Sequence, residues 1–314
     1  MENTYTFYEA IEQNKRKTWI IFFLISILLF FVCYSIIYFF NLGEIAIFIA
    51  LIVTLTVNYY AYKNSDKLIL SISDAYEPKK EEYPYLLNIV EGLSIAAGIP
   101  TPKIYVINDS SPNAFATGKD PKNSAIAVTT GLLEKMNRLE LEGVVAHEIS
   151  HIKNYDVRLQ TIAVVLVGLI VILGDSLKRS FYYGPFYSGE KRRNKDQDFL
   201  GIISLIIALL APLLATILRF SLSRQREYMA DATAAMLTRY PEGLASALEK
   251  IAKDPNPVKR ANNITAPLYI ADPLKKYNVN NLFSTHPPIE ERIKRLRMMG
   301  ERWKLMGGEI NGCF

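Results

Sequence analysis

Trp19 to Phe40 and Ile45 to Tyr62 carry no charged residue, and these two runs constrain the fold of the 314-residue chain more than any other feature. At about 22 and about 18 residues, both are long enough to cross a hydrocarbon core about 30 Å thick as helices. Only Asn41-Leu42-Gly43-Glu44 separates them, so the pair reads as a transmembrane hairpin. Lys15, Arg16 and Lys17 precede it, Lys63 and Lys67 follow it, and the connector has no basic residue. The positive-inside rule then places both flanks in the cytoplasm. The first run is longer than the apolar core of a secretory signal and lacks a small-residue cleavage site, so it is expected to stay as an anchor.

A second apolar pair, Thr161 to Gly174 and Phe199 to Leu218, lies in the middle of the chain. Its first arm is short, about 22 Å as a helix. Lys178, Arg179, Lys191, Arg192, Arg193 and Lys195 crowd the connecting loop, against the positive-inside preference. A full crossing is the preferred reading, with a shallow hairpin or a helical cover as the alternative. The formal charge of +5 reflects these basic flanks. No pattern of interleaved aromatic and basic residues points to nucleic acid, and a basic face against anionic lipid is the simpler account. Cys33 inside the first run and Cys313 near the C-terminus do not suggest a disulfide framework.

His147-Glu148-Ile149-Ser150-His151 holds two of the three histidines in the chain. On a helix, residues i and i+4 project from nearly the same face, so two imidazoles can close on one Zn2+. Glu148 then flanks that face, placed to take a proton from the water that such an ion activates. Asn137 with Glu140 reads as a capping arrangement, and Leu139, Leu141, Val144, Val145 and Ile149 give the helix an apolar face. Two histidines leave a catalytic site one protein ligand short. Asn154 and Val157 occupy the positions where an extended HExxHxxGxxH motif would carry glycine and the third histidine. The better candidates are Glu227 and Asp231, again i and i+4 on an apparent helix. One can bind the ion while the other holds a ligand imidazole, although a solvated helix face with Arg224 and Arg226 is the plainer reading of that stretch taken alone.

HEISH, then Ser223-Arg224-Gln225-Arg226-Glu227-Tyr228-Met229-Ala230-Asp231, then Thr285-His286-Pro287-Pro288 resembles the HtpX-type membrane zinc metalloproteases, gluzincins related to the CAAX prenyl proteases. The resemblance covers nearly the whole chain. It implies His147, His151 and Glu227 as zinc ligands, Glu148 as general base and acid, and Asp231 in support of a ligand histidine. It also implies that His286 and Arg292 face the oxyanion of the transition state; the alternative is that His286 caps a helix and Arg292 pairs with Glu290 or Glu291.

Upstream, 111–118 and 124–129 read as short strands around a Gly118-Lys119-Asp120-Pro121 turn. By resemblance, Asn113, Ala114, Phe115 and Ala116 form the sheet edge along which substrate lies as an added strand, whereas ordinary core strand is the reading from the residues alone. The expected fold is mainly α with a small β-sheet, α+β and zincin-like, carried by an integral membrane chain with two hydrophobic hairpins. Its expected divisions are 1–62, an N-terminal transmembrane hairpin; 63–158, a first protease half; 159–218, a second hydrophobic hairpin; and 219–314, a second protease half. Helices are expected over Pro241–Lys253 and Pro288–Met299.

The family likeness implies a peptidase in the plasma (inner) membrane with a cytoplasmic site, acting on membrane or misfolded polypeptides in protein quality control and the stress response. A CAAX-type prenyl protease and a non-catalytic zinc-binding scaffold are the competing readings. Both apolar pairs lie close in sequence to the motif residues, so the site is expected near the membrane surface.

Overall fold

The computed structural model describes residues 7–38, 42–183, 224–275 and 287–310. Helices α1 (Phe7–Tyr38) and α2 (Ile45–Ile72) form an antiparallel pair. Gly43 makes the turn between them at φ 58°, a conformation that costs glycine nothing. Their outer faces expose Trp19, Phe23, Phe48 and Ile52 at more than half of each side chain's surface. In water that would be an aggregation surface, whereas in a bilayer it is a lipid-facing one.

A third apolar helix, α6 (Asp156–Tyr183), packs against both. These three helices are long and apolar enough to cross a membrane. In α1 and α2 only 28% of the apolar window is buried inside the protein, but in α6 the figure is 67%. So α6 also serves the protease core. It begins at Asp156, earlier than its apolar run suggests, because the polar side chains of its first turn are bonded to protein groups. Those bonds run from Asp156 to His151 and from Arg158 to the Lys119 carbonyl. Helix α2 kinks at Asn64 (φ −121°), two residues past the expected division at 62, and α6 already begins at Asp156, ahead of that at 158.

Four strands, β1 (Ala75–Tyr76), β2 (Lys103–Ile107), β3 (Ala114–Asp120) and β4 (Asn123–Thr129), make one sheet in the order β1-β2-β4-β3. β2 and β4 run parallel, and the outer pairs are antiparallel. The sheet separates two cores. Ile104, Val106, Ala116, Ile126 and Val128 face one cluster, while Ile107, Phe115, Ala125 and Ala127 face the other, with α1, α2 and α6. Burial on both faces explains why β4 reads as continuous apolar sequence rather than alternating. The hairpin turn falls at Pro121-Lys122, later than the sequence suggests. Gly118, at φ 140°, instead lies at a register irregularity inside β3, and Asp120 Oδ1 accepts from the Lys122 and Asn123 amides to close the turn.

On the first face of the sheet lie α3 (Pro84–Ala97), α4 (Thr130–Lys135), α5 (Arg138–Lys153), α7 (Arg224–Thr238), α8 (Pro241–Lys253) and α9 (Ile289–Ile310). α5 is the central member, packed against α3, α7, α8 and β3. Asn137 caps it through both bonds of a capping box, with the Glu140 amide donating to Asn137 Oδ1 at 3.0 Å and the Asn137 amide donating to Glu140 Oε2 at 2.8 Å. Leu141, Val144, Val145, Ile149 and Ile152 are fully buried; each contributes roughly 1.5–3 kcal/mol by leaving water. Gly143 lets α8 approach so closely that a Cβ there would sit 2.6 Å from the Leu244 amide nitrogen. α9 runs beyond the expected end at Met299 and continues through Gly300 to Ile310. The apolar segment Phe199–Leu218 lies outside the described residues.

Candidate metal centre

α5 and α7 lie side by side and bring three buried ligand groups together. His147 Nε2 lies 3.1 Å from His151 Nε2, His151 Nε2 lies 3.4 Å from Glu227 Oε1, and His147 Nε2 lies 3.8 Å from Glu227 Oε2. Four donors bonded tetrahedrally at about 2.0–2.1 Å stand roughly 3.3 Å from one another, so this spacing fits one small divalent ion.

Hydrogen bonding points the same way. The Nδ1 of His147 lies 3.0 Å from Asp231 Oδ1, and the Nδ1 of His151 lies 3.1 Å from Asp156 Oδ2. With each Nδ1–H donating to a carboxylate, both Nε2 atoms present lone pairs to the same point. Two facing lone pairs beside a carboxylate call for a shared cation. In the protein's own charges the imidazoles split. Burial and the Arg292 charge lower His147 to about 4. Burial also acts against a charged His151, but its Asp156 hydrogen bond and the Glu227 charge outweigh that and push it up to about 9.

Glu148 is buried against the outer edge of β3, where its carboxylate takes a hydrogen bond from the Ala116 backbone. Burial pushes it up to about 7, with the His151 charge opposing and the Glu227 charge adding to the rise. A carboxyl that titrates near neutrality can both accept and return a proton.

Arg292 is buried in the site, and Glu290 and Glu291 are not its partners. Its Nε and Nη2 donate to the two oxygens of Asp231 at 2.9 and 2.7 Å, and its Nη1 donates to the Ile270 carbonyl at 2.7 Å. Nη1 also lies 3.5 Å from Glu227 Oε2. Despite the carboxyl's burial, the guanidinium charge and the His147 hydrogen bond hold Asp231 below its usual range. In this arrangement Arg292 fixes Asp231, and through it the His147 ring. His286 lies outside the described residues.

β3 forms an edge of the sheet, and part of that edge is already occupied. The Ala114 carbonyl accepts from the Ile270 amide at 2.9 Å, Asn113 Nδ2 donates to the Ala271 carbonyl at 3.1 Å, and Phe115 pairs with Tyr269 as an isolated bridge. All four of Asn113, Ala114, Phe115 and Ala116 are buried.

Two contributors escaped the sequence reading. Asp156 is five residues past His151, which on one continuous helix would turn it well away from the ligand face. The chain breaks at Asn154-Tyr155, with Tyr155 at φ 61°, and Asp156 swings back. Arg226 Nη1 stands 3.6 Å from Asp156 on the far side. The other is the Ile270 backbone, which carries no side-chain signal.

A buried His-His-Glu cluster beside the Glu148 carboxyl, with the helix that carries both histidines packed against the apolar α6, is the arrangement of a membrane metalloprotease. The profile of peptidase family M48 matches residues 80–299, so the chain belongs to that family. It is 72% identical over 305 residues to "Protease HtpX homolog" of Dictyoglomus thermophilum, covering 97% of this chain and 99% of that one. The protein of the same description from Caldanaerobacter subterraneus subsp. tengcongensis is 48% identical over 298 residues, covering 94% and 98%. Among solved structures, S. mikatae Ste24p aligns with a TM-score of 0.49 at 23% identity, over 89% of this chain and 66% of that one.

Proposed function

We propose that the protein is a zinc endopeptidase that cleaves membrane or misfolded polypeptides at the cytosolic surface of the plasma membrane, as part of membrane-protein quality control. The observation that carries this reading is the convergence of His147, His151 and Glu227 within 4.8 Å of one another, with Glu148 beside them at a sheet edge. His147, His151 and Glu227 would hold the ion; two nitrogens and one oxygen at this spacing suit zinc and leave a position open. When bound, zinc supplies Lewis-acid polarisation of the scissile carbonyl and makes water acidic near neutral pH.

The remaining steps belong to the protein. Glu148 takes the proton of the attacking water and returns it to the leaving amine. Asp231 and Asp156 fix the two imidazoles from behind. Arg292 locks Asp231 and adds positive charge close to where the oxyanion develops, and His286 is assigned to that oxyanion by family likeness. Substrate main chain would extend along β3, and pairing through the Ala114 carbonyl requires Ile270 to give way.

The membrane-surface placement is supported by α6, which starts five residues after His151, and the cytosolic orientation by the basic flanks of the α1–α2 pair. The chain is divided functionally into an anchor (1–62), two protease halves (63–158 and 219–314) and an intervening hydrophobic hairpin (159–218). Glu148→Gln in the full-length protein tests the mechanism. Zinc content should stay at wild-type level while cleavage of an unfolded protein substrate disappears, and retained cleavage would remove Glu148 from its role. Parallel assay on prenylated C-terminal peptides separates this reading from a prenyl protease.

A further inference from the structure

Where α1, α2 and α6 meet the protease, three cations from distant parts of the chain gather on aromatic rings. Lys15 Nζ of α1 lies 4.8 Å from the centre of the Tyr155 ring, and the Arg158 guanidinium of α6 lies 5.1 Å from the same centre. Lys119 Nζ, near the tip of the β3–β4 hairpin, lies 5.9 Å from the Tyr62 ring of α2, which stacks on Trp19 of α1 at 6.1 Å. Arg158 Nε donates to the Lys119 carbonyl, tying the first turn of α6 to the hairpin tip. Tyr155, which brings Lys15 and Arg158 onto one ring, holds the left-handed φ of 61°.

Among the described residues no carboxylate forms an ion pair with Lys15, Lys119 or Arg158. The nearby Asp120 is turned into its own hairpin, bonded to the Lys122 and Asn123 amides and to Asn123 Nδ2. Asp156 faces His151 and Arg226. A patch with three cations and, among the described residues, no carboxylate at ion-pair distance from them is complementary to an anion.

Location identifies the anion. The apolar window of α1 begins at Lys15 and that of α6 at Asp156. From Ile45 to Tyr62, α2 rises about 27 Å, close to a hydrocarbon thickness, and its helical geometry breaks at Asn64 directly beyond. The three cations therefore stand at the level of lipid phosphates, in the company of Trp19, Tyr62 and Tyr155, the residue types that favour that level. The opposite end of the pair, Leu42-Gly43-Glu44, offers no base.

We propose that Lys15, Lys119 and Arg158 form a binding site for the phosphate headgroup of an anionic phospholipid. Its consequence reaches the candidate metal centre. The ligand would bridge α1, the hairpin whose β3 strand carries Asn113 to Ala116, and the α5–α6 corner four residues after His151. Lipid occupancy would then brace the sheet edge against the metal helix. This goes beyond the peptidase reading and does not depend on it, since its readout is lipid retention.

The test uses full-length protein in nanodiscs of phosphatidylcholine with a minor fraction of phosphatidylglycerol, and native mass spectrometry to count retained lipids. Wild-type protein should hold phosphatidylglycerol in preference to phosphatidylcholine. Lys15→Gln and Lys119→Gln should each weaken that retention about five-fold, the loss expected for one cation near a phosphate surface. Lys119→Arg should keep it, and so should Lys67→Gln, which removes an exposed base of the same membrane face outside the cluster. Three results would overturn the site: no preference in the wild type, an equal loss with Lys67→Gln, which would mean a diffuse field only, or inorganic phosphate binding as tightly as the lipid.

Discussion

The α1–α2 pair and the α5–α7 pair both reverse the usual partition of a folded chain, in opposite senses. The first turns Trp19, Phe23, Phe48 and Ile52 outward, and the second turns His147, Glu148, His151, Glu227 and Asp231 inward. Each reversal names its own missing component. Exposed apolar side chains in number call for lipid, and buried ionisable groups with facing lone pairs call for a cation. The contrast is sharpest at α6, which is apolar like α1 yet mostly buried by protein, with its first turn anchoring His151 through Asp156.

Glu148→Gln carries the largest expected effect, a loss of about 100- to 10,000-fold in peptide turnover, the range for one general acid-base. Metal content should not change, as checked by elemental analysis of the same sample. In the lipid-facing pair, Ile52→Arg places an unpaired charge where the interior of the α5–α7 pair would demand a partner. Roughly 2.5–3.5 kcal/mol against insertion is expected, read as a shift of the protein from membrane to aggregate fractions, and unchanged insertion would contradict a lipid-facing α2.

Asp156→Asn probes the metal side, because it removes the negative charge behind His151 without touching a ligand atom. Zinc affinity should fall about 10- to 100-fold in a chelator competition, and an unchanged affinity would reduce Asp156 to a packing residue. Gly143→Ala drives a Cβ into the α8 backbone at Leu244 and should cost about 1–3 kcal/mol of stability, seen as a lowered thermal midpoint with zinc stoichiometry intact. At the small end, Arg138→Ala removes an exposed pair with Glu142 at the start of α5; no more than about 0.5 kcal/mol should be lost.

Much of this was legible in the residues. Charge-free runs revealed α1 and α2 because lipid imposes a length and forbids charge. His147 with His151, and Glu227 with Asp231, were legible because a shared helix face requires a four-residue spacing. Helix α8 was readable from end to end, opened by Pro241 and closed after Lys253. What sequence hid were the features that depend on backbone path. Asp156 reaches His151 only because the helix breaks at Tyr155, and Ile270 meets β3 through its amide and carbonyl alone. Arg292 was marked as a site residue, yet its commitment to Asp231 depends on how α9 packs against α7, which no local pattern encodes. Likewise, β4 could not show from its own residues that α1, α2 and α6 would cover its second face.

α5 and α7 bring two imidazoles and one carboxylate to a single point fit for one ion. Zinc-edge X-ray absorption on the full-length protein tests it most directly. A shell of two histidine nitrogens and a carboxylate oxygen at about 2.0–2.2 Å is expected, with one further light atom that exchanges with solvent, and the oxygen component should be lost in Glu227→Ala. A zinc shell that is the same in wild type and Glu227→Ala would contradict it.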